Sequence, residues 1–200
     1  MRYCVERTSL LITVCIRVAI RIYGNRALKT LPGALTRPTP GRIREAVFNI
    51  WQGQIAGCRW LDLCAGSGQM GAEALCRGAA QVVGIEQSGN ACQVIRENWE
   101  QVGGKPQRWQ VIRGDVRSRL SNLSGPFDRI YFDPPYAGNL YESVLTTIAS
   151  LDLLAPEGEL IAEYDPKLWN PETCTALALL ETRRYGNSAI TFFGRVNADA

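Results

Sequence analysis

From Arg59 onward, short apolar runs alternate with longer amphipathic ones, and this alternation leaves few folds open. The apolar runs predict strands near 59–64, 81–86, 109–113, 127–133 and 157–163. The intervals predict helices near 69–78, 88–102, 116–123 and 139–151. Strands separated by helices pair in parallel, because a parallel neighbour needs a crossover of this length. The expected class is therefore α/β with a mostly parallel sheet. After Pro166, the stretches Leu168-Trp169 and Ala176 to Leu180 predict one more helix. Thr182 to Tyr185 and Ala189 to Phe193, joined by Gly186-Asn187, predict a closing antiparallel hairpin.

Composition narrows the chemistry more than the fold. With 200 residues, 46% hydrophobic and 20% charged, the chain is long enough for one globular domain with a substantial core. It contains no histidine, which removes imidazole-based nucleophilic catalysis and His-ligated metal chemistry. Its seven cysteines are odd in number and include no Cys-x-x-Cys pair, so they do not read as a zinc site, and no metal is expected. Free thiols at apolar positions fit a reducing, cytoplasmic setting.

Charge is unevenly distributed. Residues 1–59 carry ten Lys and Arg against Glu6 and Glu45, a net +8, which leaves −5 for the remainder. A basic segment on a mildly acidic body reads either as a solvated charged face or as a docking arm for a polyanion, most simply nucleic acid. The run Leu10 to Ile16 is too short to span a membrane, and Arg17 follows it. Residues 1–15 are expected to be a poorly ordered extension. Alternation of Ile16, Val18, Ile20 and Ile22 with Arg17, Ala19 and Arg21 predicts a hairpin over about 16–31, turning at Gly24-Asn25.

Leu31 to Gly41 holds three prolines and two glycines and reads as a loop, with Thr39-Pro40 as the start of a helix. Ile43, Val47, Ile50 and Trp51 recur on one face of that helix, which leaves Arg37, Arg42 and Arg44 available to a ligand. The expected division is 1–15 as extension, 16–52 as basic hairpin and helix, and 53–200 as the main domain.

Ala65-Gly66-Ser67-Gly68-Gln69-Met70-Gly71 places Gly-x-Gly-x-x-Gly between a strand and a helix. Glycines there let a ligand approach the backbone, and Glu86, twenty residues past Gly66, is placed to accept both hydroxyls of a ribose. Literally read, this is a dinucleotide fingerprint. Asp62, four residues before Gly66, would crowd a pyrophosphate and suits a cationic ligand instead. S-adenosylmethionine has a sulfonium, an amino group and a ribose, and no phosphate. Asp115, in Gly114-Asp115-Val116, is placed to accept from an adenine amino group, although helix capping could explain it alone. The expected cofactor site is Asp62, Cys64, Ala65, Gly66, Ser67, Gly68, Glu86, Gln87, Asp115 and Val116.

The apolar run Phe127 to Phe132 ends in Asp133-Pro134-Pro135-Tyr136. Each proline fixes its own φ and holds the preceding residue extended, so the segment is stiff. It presents acceptors, the Asp133 carboxylate and neighbouring carbonyls, to one spot, and Tyr136 adds an aromatic face. Two acceptors and a ring suit an aminated nucleobase. An ordinary turn-forming Asp-Pro pair is the plainer alternative.

Together, Leu61-Asp62-Leu63-Cys64-Ala65-Gly66-Ser67-Gly68, Glu86, Gly114-Asp115 and Asp133-Pro134-Pro135-Tyr136 resemble a class I S-adenosylmethionine-dependent methyltransferase acting on an amino nitrogen. Arg37-Pro38-Thr39 with Arg42-Ile43-Arg44-Glu45-Ala46-Val47-Phe48-Asn49 resembles the RsmD-type guanine-N2 methyltransferases of bacterial small-subunit ribosomal RNA. The resemblance runs from about Ile20 to Phe193. Gly41 departs from it where an acidic residue is usual, and Cys64 where phenylalanine is common.

This resemblance implies a Rossmann-like fold with a seven-stranded, mostly parallel sheet, an antiparallel C-terminal hairpin and a small N-terminal hairpin and helix. It implies S-adenosylmethionine as cofactor, catalysis by Asp133, Pro134, Pro135 and Tyr136, and ribosomal RNA or the assembling small subunit as partner. RNA docking would fall to Arg17, Arg21, Arg26, Lys29, Arg37, Arg42 and Arg44. A monomer is expected. DNA adenine or cytosine and protein-amide methyltransferases share the Asp-Pro-Pro-Tyr motif and form the alternative. A nicotinamide oxidoreductase would leave Asp62 and that motif unexplained, and a non-catalytic RNA-binding subunit should lack some site residue.

Overall fold

The computed structural model describes residues 20–31, 41–136 and 139–196. Residues 1–15, Arg17, Arg37 and the Thr39-Pro40 helix start lie outside the described residues, as does the first part of the expected hairpin.

In chain order, β1 (Ile20–Ile22) and β2 (Arg26–Leu28) form a two-stranded antiparallel hairpin, followed by α1 (Gly41–Ile50). The main body then runs β3 (Arg59–Leu63), α2 (Gln69–Cys76), β4 (Gln81–Glu86), α3 (Gly89–Val102), β5 (Arg108–Arg113), α4 (Val116–Leu120), β6 (Phe127–Phe132), α5 (Tyr141–Ser150), β7 (Leu154–Tyr164), β8 (Ala178–Tyr185) and β9 (Ser188–Gly194). The sheet order is β5-β4-β3-β6-β7-β9-β8. Strands β3 to β7 pair in parallel, and β9 lies antiparallel between β7 and β8. The seven-stranded Rossmann-like sheet with its closing hairpin is as expected.

Strand order reverses beside β3, so β4 and β6 lie on either side of it. The crevice beyond the C-terminal ends of such strands is where open α/β sheets bind ligands. The sheet buries both faces. Trp60, Val82, Tyr131 and Ile161 belong to one apolar cluster, and Leu61, Val83, Ile130 and Leu160 to the other. That alternation explains why these strands read as continuous apolar runs.

The first cluster includes α1. Phe48 stacks on Trp60 at 5.3 Å between ring centroids, and Trp51 meets Trp60 edge-on at 5.5 Å. Phe48, on α1, and Trp51, just past its end, are both fully buried. The basic N-terminal helix is thereby packed into the same core as the sheet.

One expected element is absent from its place. Instead of a helix after Pro166, a single 3-10 turn spans Pro171–Thr173, and Ala178–Leu180 open strand β8. Leu179 and Leu180 alternate poorly because β8 is the sheet edge, exposed along most of its length. Their apolar character mimicked a helix face.

Candidate active site

Strand ends place the site. At the end of β3, Asp62 is 2% exposed, and its Oδ2 accepts the Gly71 N–H at 3.0 Å. Gly71 lies in the first turn of α2, where helix N–H groups lack intrahelical partners and the dipole favours an anion. Burial nevertheless pushes the Asp62 carboxyl up, to about 8, with the Gly71 hydrogen bond opposing the shift and Glu86 adding to it. A cation beside it would restore the ionised form.

Glu86 ends β4 and holds the glycine loop. Its Oε2 accepts the Gly66 N–H and its Oε1 the Ser88 N–H, each at 2.8 Å. Asp115 caps α4 through the Arg117 N–H at 3.0 Å, and the Arg117 guanidinium grips both its oxygens. That guanidinium holds the Asp115 carboxyl below its usual range. Helix capping accounts for Asp115 and contributes at Asp62, whereas Glu86 accepts from loop N–H groups instead. Capping and ligand binding are compatible, since each carboxylate oxygen has two acceptor directions.

Every expected cofactor-site residue except Gly68 lines a single cavity of about 790 Å³, and so do Asp133, Pro134, Pro135 and Tyr136. This volume lies within the range of roughly 300–1,000 Å³ typical of small-molecule sites. Asp62, Glu86, Asp115, Asp133 and Glu163 contribute carboxylates to its wall, and no lysine or arginine among the described residues does. Such a wall disfavours a pyrophosphate and suits a phosphate-free, cationic ligand. Gly66 leaves its side open, with nothing within 4 Å of where a Cβ would stand. Cys64 adopts φ +60° at the strand exit, and burial, with the nearby Glu86 and Asp133 charges, raises its thiol far above the usual range. It is an inert wall residue.

Gly68 has a different task from the one its motif position implies. Its carbonyl accepts the Trp99 indole N–H at 2.8 Å, and a Cβ on it would stand 2.8 Å from that nitrogen. Gly71 and Gly84 face the same ring, where added Cβ atoms would meet Trp99 at 2.2 and 2.6 Å. Of the motif's three glycines, Gly66 faces the cavity and the other two admit a tryptophan.

The expected arginine set also divides. Arg44 is 5% exposed, not available on the surface. Its Nε lies 2.8 Å from Glu73 Oε2, Nη2 donates to the Arg21 carbonyl at 2.9 Å, and Nη1 to Gln69 Oε1 at 3.3 Å. The Nε–H is not aligned on the carboxylate, so that contact is an ion pair without a well-formed hydrogen bond. Arg44 ties the hairpin and α1 to α2. The signal was present in the sequence, because 44, 47, 48 and 51 share a helical face. Arg21, Arg26, Lys29 and Arg42 are exposed. Arg26 donates to the Val102 carbonyl at 3.0 Å, and Lys29 pairs with Glu97 at 2.6 Å.

Two residues escaped sequence reasoning. Asn98, fully buried on α3, binds Lys29 through both its backbone groups and also donates to the Ser67 carbonyl. Glu163, 2% exposed on β7, accepts from the Tyr131 hydroxyl at 2.6 Å and the Tyr136 hydroxyl at 3.3 Å. Tyr136 also meets Ser188 Oγ at 3.2 Å. Burial raises the Tyr136 hydroxyl well above its usual range, so it stays protonated. A carboxylate ending the apolar run Leu160-Ile161-Ala162 was the available sign of Glu163.

Comparison with known proteins agrees with this geometry. A family model described as "Conserved hypothetical protein 95" matches residues 16–194. The Bacillus subtilis protein YlbH is 32% identical over 171 residues, covering 84% of this chain and 92% of its own. "Ribosomal RNA small subunit methyltransferase D" of Haemophilus influenzae is 30% identical over 169 residues, covering 81% and 86%. The solved structure of yhhF from Escherichia coli superposes with a TM-score of 0.75 at 29% identity, covering 88% of this chain and 98% of that one. With the match spanning nearly all the described residues, the chain belongs to the conserved hypothetical protein 95 family, that of the RsmD-type methyltransferases.

Proposed function

We propose that this protein transfers a methyl group from S-adenosylmethionine to the exocyclic N2 of a guanine in small-subunit ribosomal RNA. The observation that carries the reading is the meeting, in one carboxylate-walled cavity, of the Asp62–Glu86–Asp115 edge with Asp133-Pro134-Pro135-Tyr136. Relatives named as ribosomal RNA small subunit methyltransferases support the choice of RNA.

Asp62 would hold the positive end of the cofactor, Glu86 its ribose and Asp115 its adenine amino group. When bound, S-adenosylmethionine supplies the methyl group on a positively charged sulfonium. The chain's own residues prepare the acceptor. A guanine N2 lone pair is delocalised into the ring and is a poor nucleophile in that geometry. Asp133 and the Pro134 carbonyl accept its two hydrogens, turning the lone pair out of conjugation and toward the methyl carbon. Tyr136, with its hydroxyl fixed by Glu163 and Ser188, offers its ring to the extruded base, whose unstacking costs a few kcal/mol.

With the cofactor bound, the N2 oriented by Asp133 would take the methyl group, the neutral thioether would leave as the other product, and the N2 proton would pass to Asp133 or to water. Positioning of this kind can supply roughly 7–11 kcal/mol of the barrier. Exposed Arg21, Arg26, Lys29 and Arg42, with Arg17 and Arg37, contact the RNA backbone. Docking on a cytoplasmic particle or on free RNA uses the same charges.

Substitution at Asp133 tests the acceptor role. Asp133→Asn keeps one acceptor and should retain measurable methyl transfer to small-subunit RNA, whereas Asp133→Ala should lose nearly all of it, with cofactor binding intact in both. Equal loss would assign Asp133 to obligatory proton removal instead. Full activity in the alanine variant would remove the residue from the mechanism.

A further inference from the structure

We infer that Glu163 is the residue that selects guanine, by accepting the N1–H of the base whose N2 is presented to Asp133. The inference rests on the amino-methyltransferase reading above and adds to it a determinant of base identity.

Placement comes from strand register. Strands β6 and β7 are parallel, with Phe132 opposite Ala162, so Asp133 and Glu163 follow as the next neighbours across the sheet. Neighbouring strands lie about 4.8 Å apart. Side chains alternate between faces, which puts both carboxylates on the side of Tyr131 and Ile161, itself a register pair. Both residues line the cavity. Two acceptors on neighbouring strands of one cavity match the two adjacent donors, N1–H and the N2 amino group, on the Watson–Crick edge of guanine.

Glu163 is held there deliberately. A buried carboxylate is costly unless hydrogen-bonded, and three tyrosines attend this one. Tyr131 and Tyr136 donate to its carboxylate, and Tyr141 donates to its backbone carbonyl at 3.0 Å. Tyrosines packed against each other need no charged residue between them, so packing alone does not call for a glutamate. With the Tyr131 and Tyr136 hydroxyls donating to it, Glu163 faces the base through carboxylate oxygens, which accept.

The consequence is discrimination between purines. Guanine brings N1–H to Glu163. Adenine has an amino group for Asp133 but carries an N1 lone pair, which would face the Glu163 carboxylate and repel it. The motif shared with adenine amino-methyltransferases thereby acts on guanine in this chain.

The test replaces the methylated guanosine in an RNA substrate with 2-aminopurine, which retains the amino group and lacks the N1 hydrogen. Sites built to hydrogen-bond a substrate group reject analogues lacking it by several orders of magnitude, so wild-type kcat/KM should fall by about 100-fold or more. In Glu163→Gln, the side-chain amide can donate to N1 of 2-aminopurine, and the ratio between the two bases should narrow to within about tenfold. Cofactor affinity should be unchanged, which reports that the variant is folded.

Equal use of both bases by the wild-type protein would overturn the assignment without needing any variant. An unchanged ratio in a folded Glu163→Gln protein would overturn it as well, leaving Glu163 as an anchor for Tyr136. No transfer to guanine by the wild type would remove the underlying reading itself, an outcome distinct from the other two.

Discussion

The buried side chain of Asn98 donates to the Ser67 carbonyl at 3.0 Å and, from the same nitrogen, to the Lys29 carbonyl at 3.0 Å. One amide on α3 thereby fixes both the cofactor loop and the segment leaving the N-terminal hairpin. Thr30 and Leu31, which follow Lys29, line the cavity. Truncation in Asn98→Ala leaves the buried Ser67 carbonyl without this partner, at about 1–3 kcal/mol, and removes the part-buried hydrogen bonds to Lys29. The expected outcome is a lower melting temperature together with weaker cofactor binding by calorimetry. Loss of stability with unchanged affinity would show that the clamp does not shape the cavity.

The motif glycines should separate by their consequences. Gly71→Ala drives a Cβ to 2.2 Å from Trp99, and overpacking of a filled core costs about 1–3 kcal/mol. Gly66→Ala meets no atom within 4 Å and only retains a positive φ of +57°, a strain of roughly 1–2 kcal/mol. Chemical denaturation should find Gly71→Ala the less stable of the two. Per unit of stability lost, the cofactor affinity should suffer more in Gly66→Ala, which stands on the cavity wall.

Arginines 42 and 44 are two residues apart and should behave in opposite ways. Arg44→Ala removes a buried guanidinium that also holds the Arg21 carbonyl and Gln69, so it should destabilise the fold, though by less than the roughly 3–5 kcal/mol of an orphaned buried charge, because Arg77 still pairs with Glu73. Arg42→Gln should leave stability alone. If Arg42 contacts a phosphate, RNA affinity in that variant should lose about 0.7–0.9 from the slope of log K against log salt. A destabilised Arg42→Gln protein, or an unchanged slope, would contradict the division.

Asp62 gives the protein a pH signature. Its carboxyl is raised from an ordinary 3.8 to about 8 by burial, so the folded state holds a proton that the unfolded chain releases. Stability from this group is present below about pH 4, is lost progressively as pH rises toward about 8, and is flat beyond. Ligand-free wild type should therefore lose melting temperature across that window relative to Asp62→Asn, whose amide still accepts from Gly71. Binding of a cationic ligand runs the other way. It requires the ionised form, so affinity should rise with pH up to about 8 in the wild type and remain flatter in the variant.

Local signals in the sequence carried most of the fold. Every strand and helix between Arg59 and Tyr164 lies close to its predicted span, because parallel strands buried on both faces leave continuous apolar runs. The missed segment, Ala176 to Leu180, failed where an edge strand has apolar residues that packing does not explain. Within the site, Asp62, Glu86 and Asp115 were legible because strand ends followed by turns place carboxylates on one rim. Tertiary facts were not. Gly68 looks like a ligand contact until Trp99, 31 residues away in sequence, is placed against it. Arg44 looks like surface charge until Glu73 is brought beneath it. Glu163 belongs to the cavity only because β7 is the strand that pairs with β6, and pairing order is not written in any local motif.

The acceptor atom decides the reading most directly. Small-subunit RNA from cells lacking this gene, both naked and as subunit particles, should be incubated with the protein and labelled S-adenosylmethionine. Nucleosides would then be identified by mass spectrometry. N2-methylguanosine is expected at one position, with label absent when Asp133 is replaced by alanine. Label on adenine N6 or cytosine N4, or cofactor binding with no transfer to either form of the RNA, would contradict the reading.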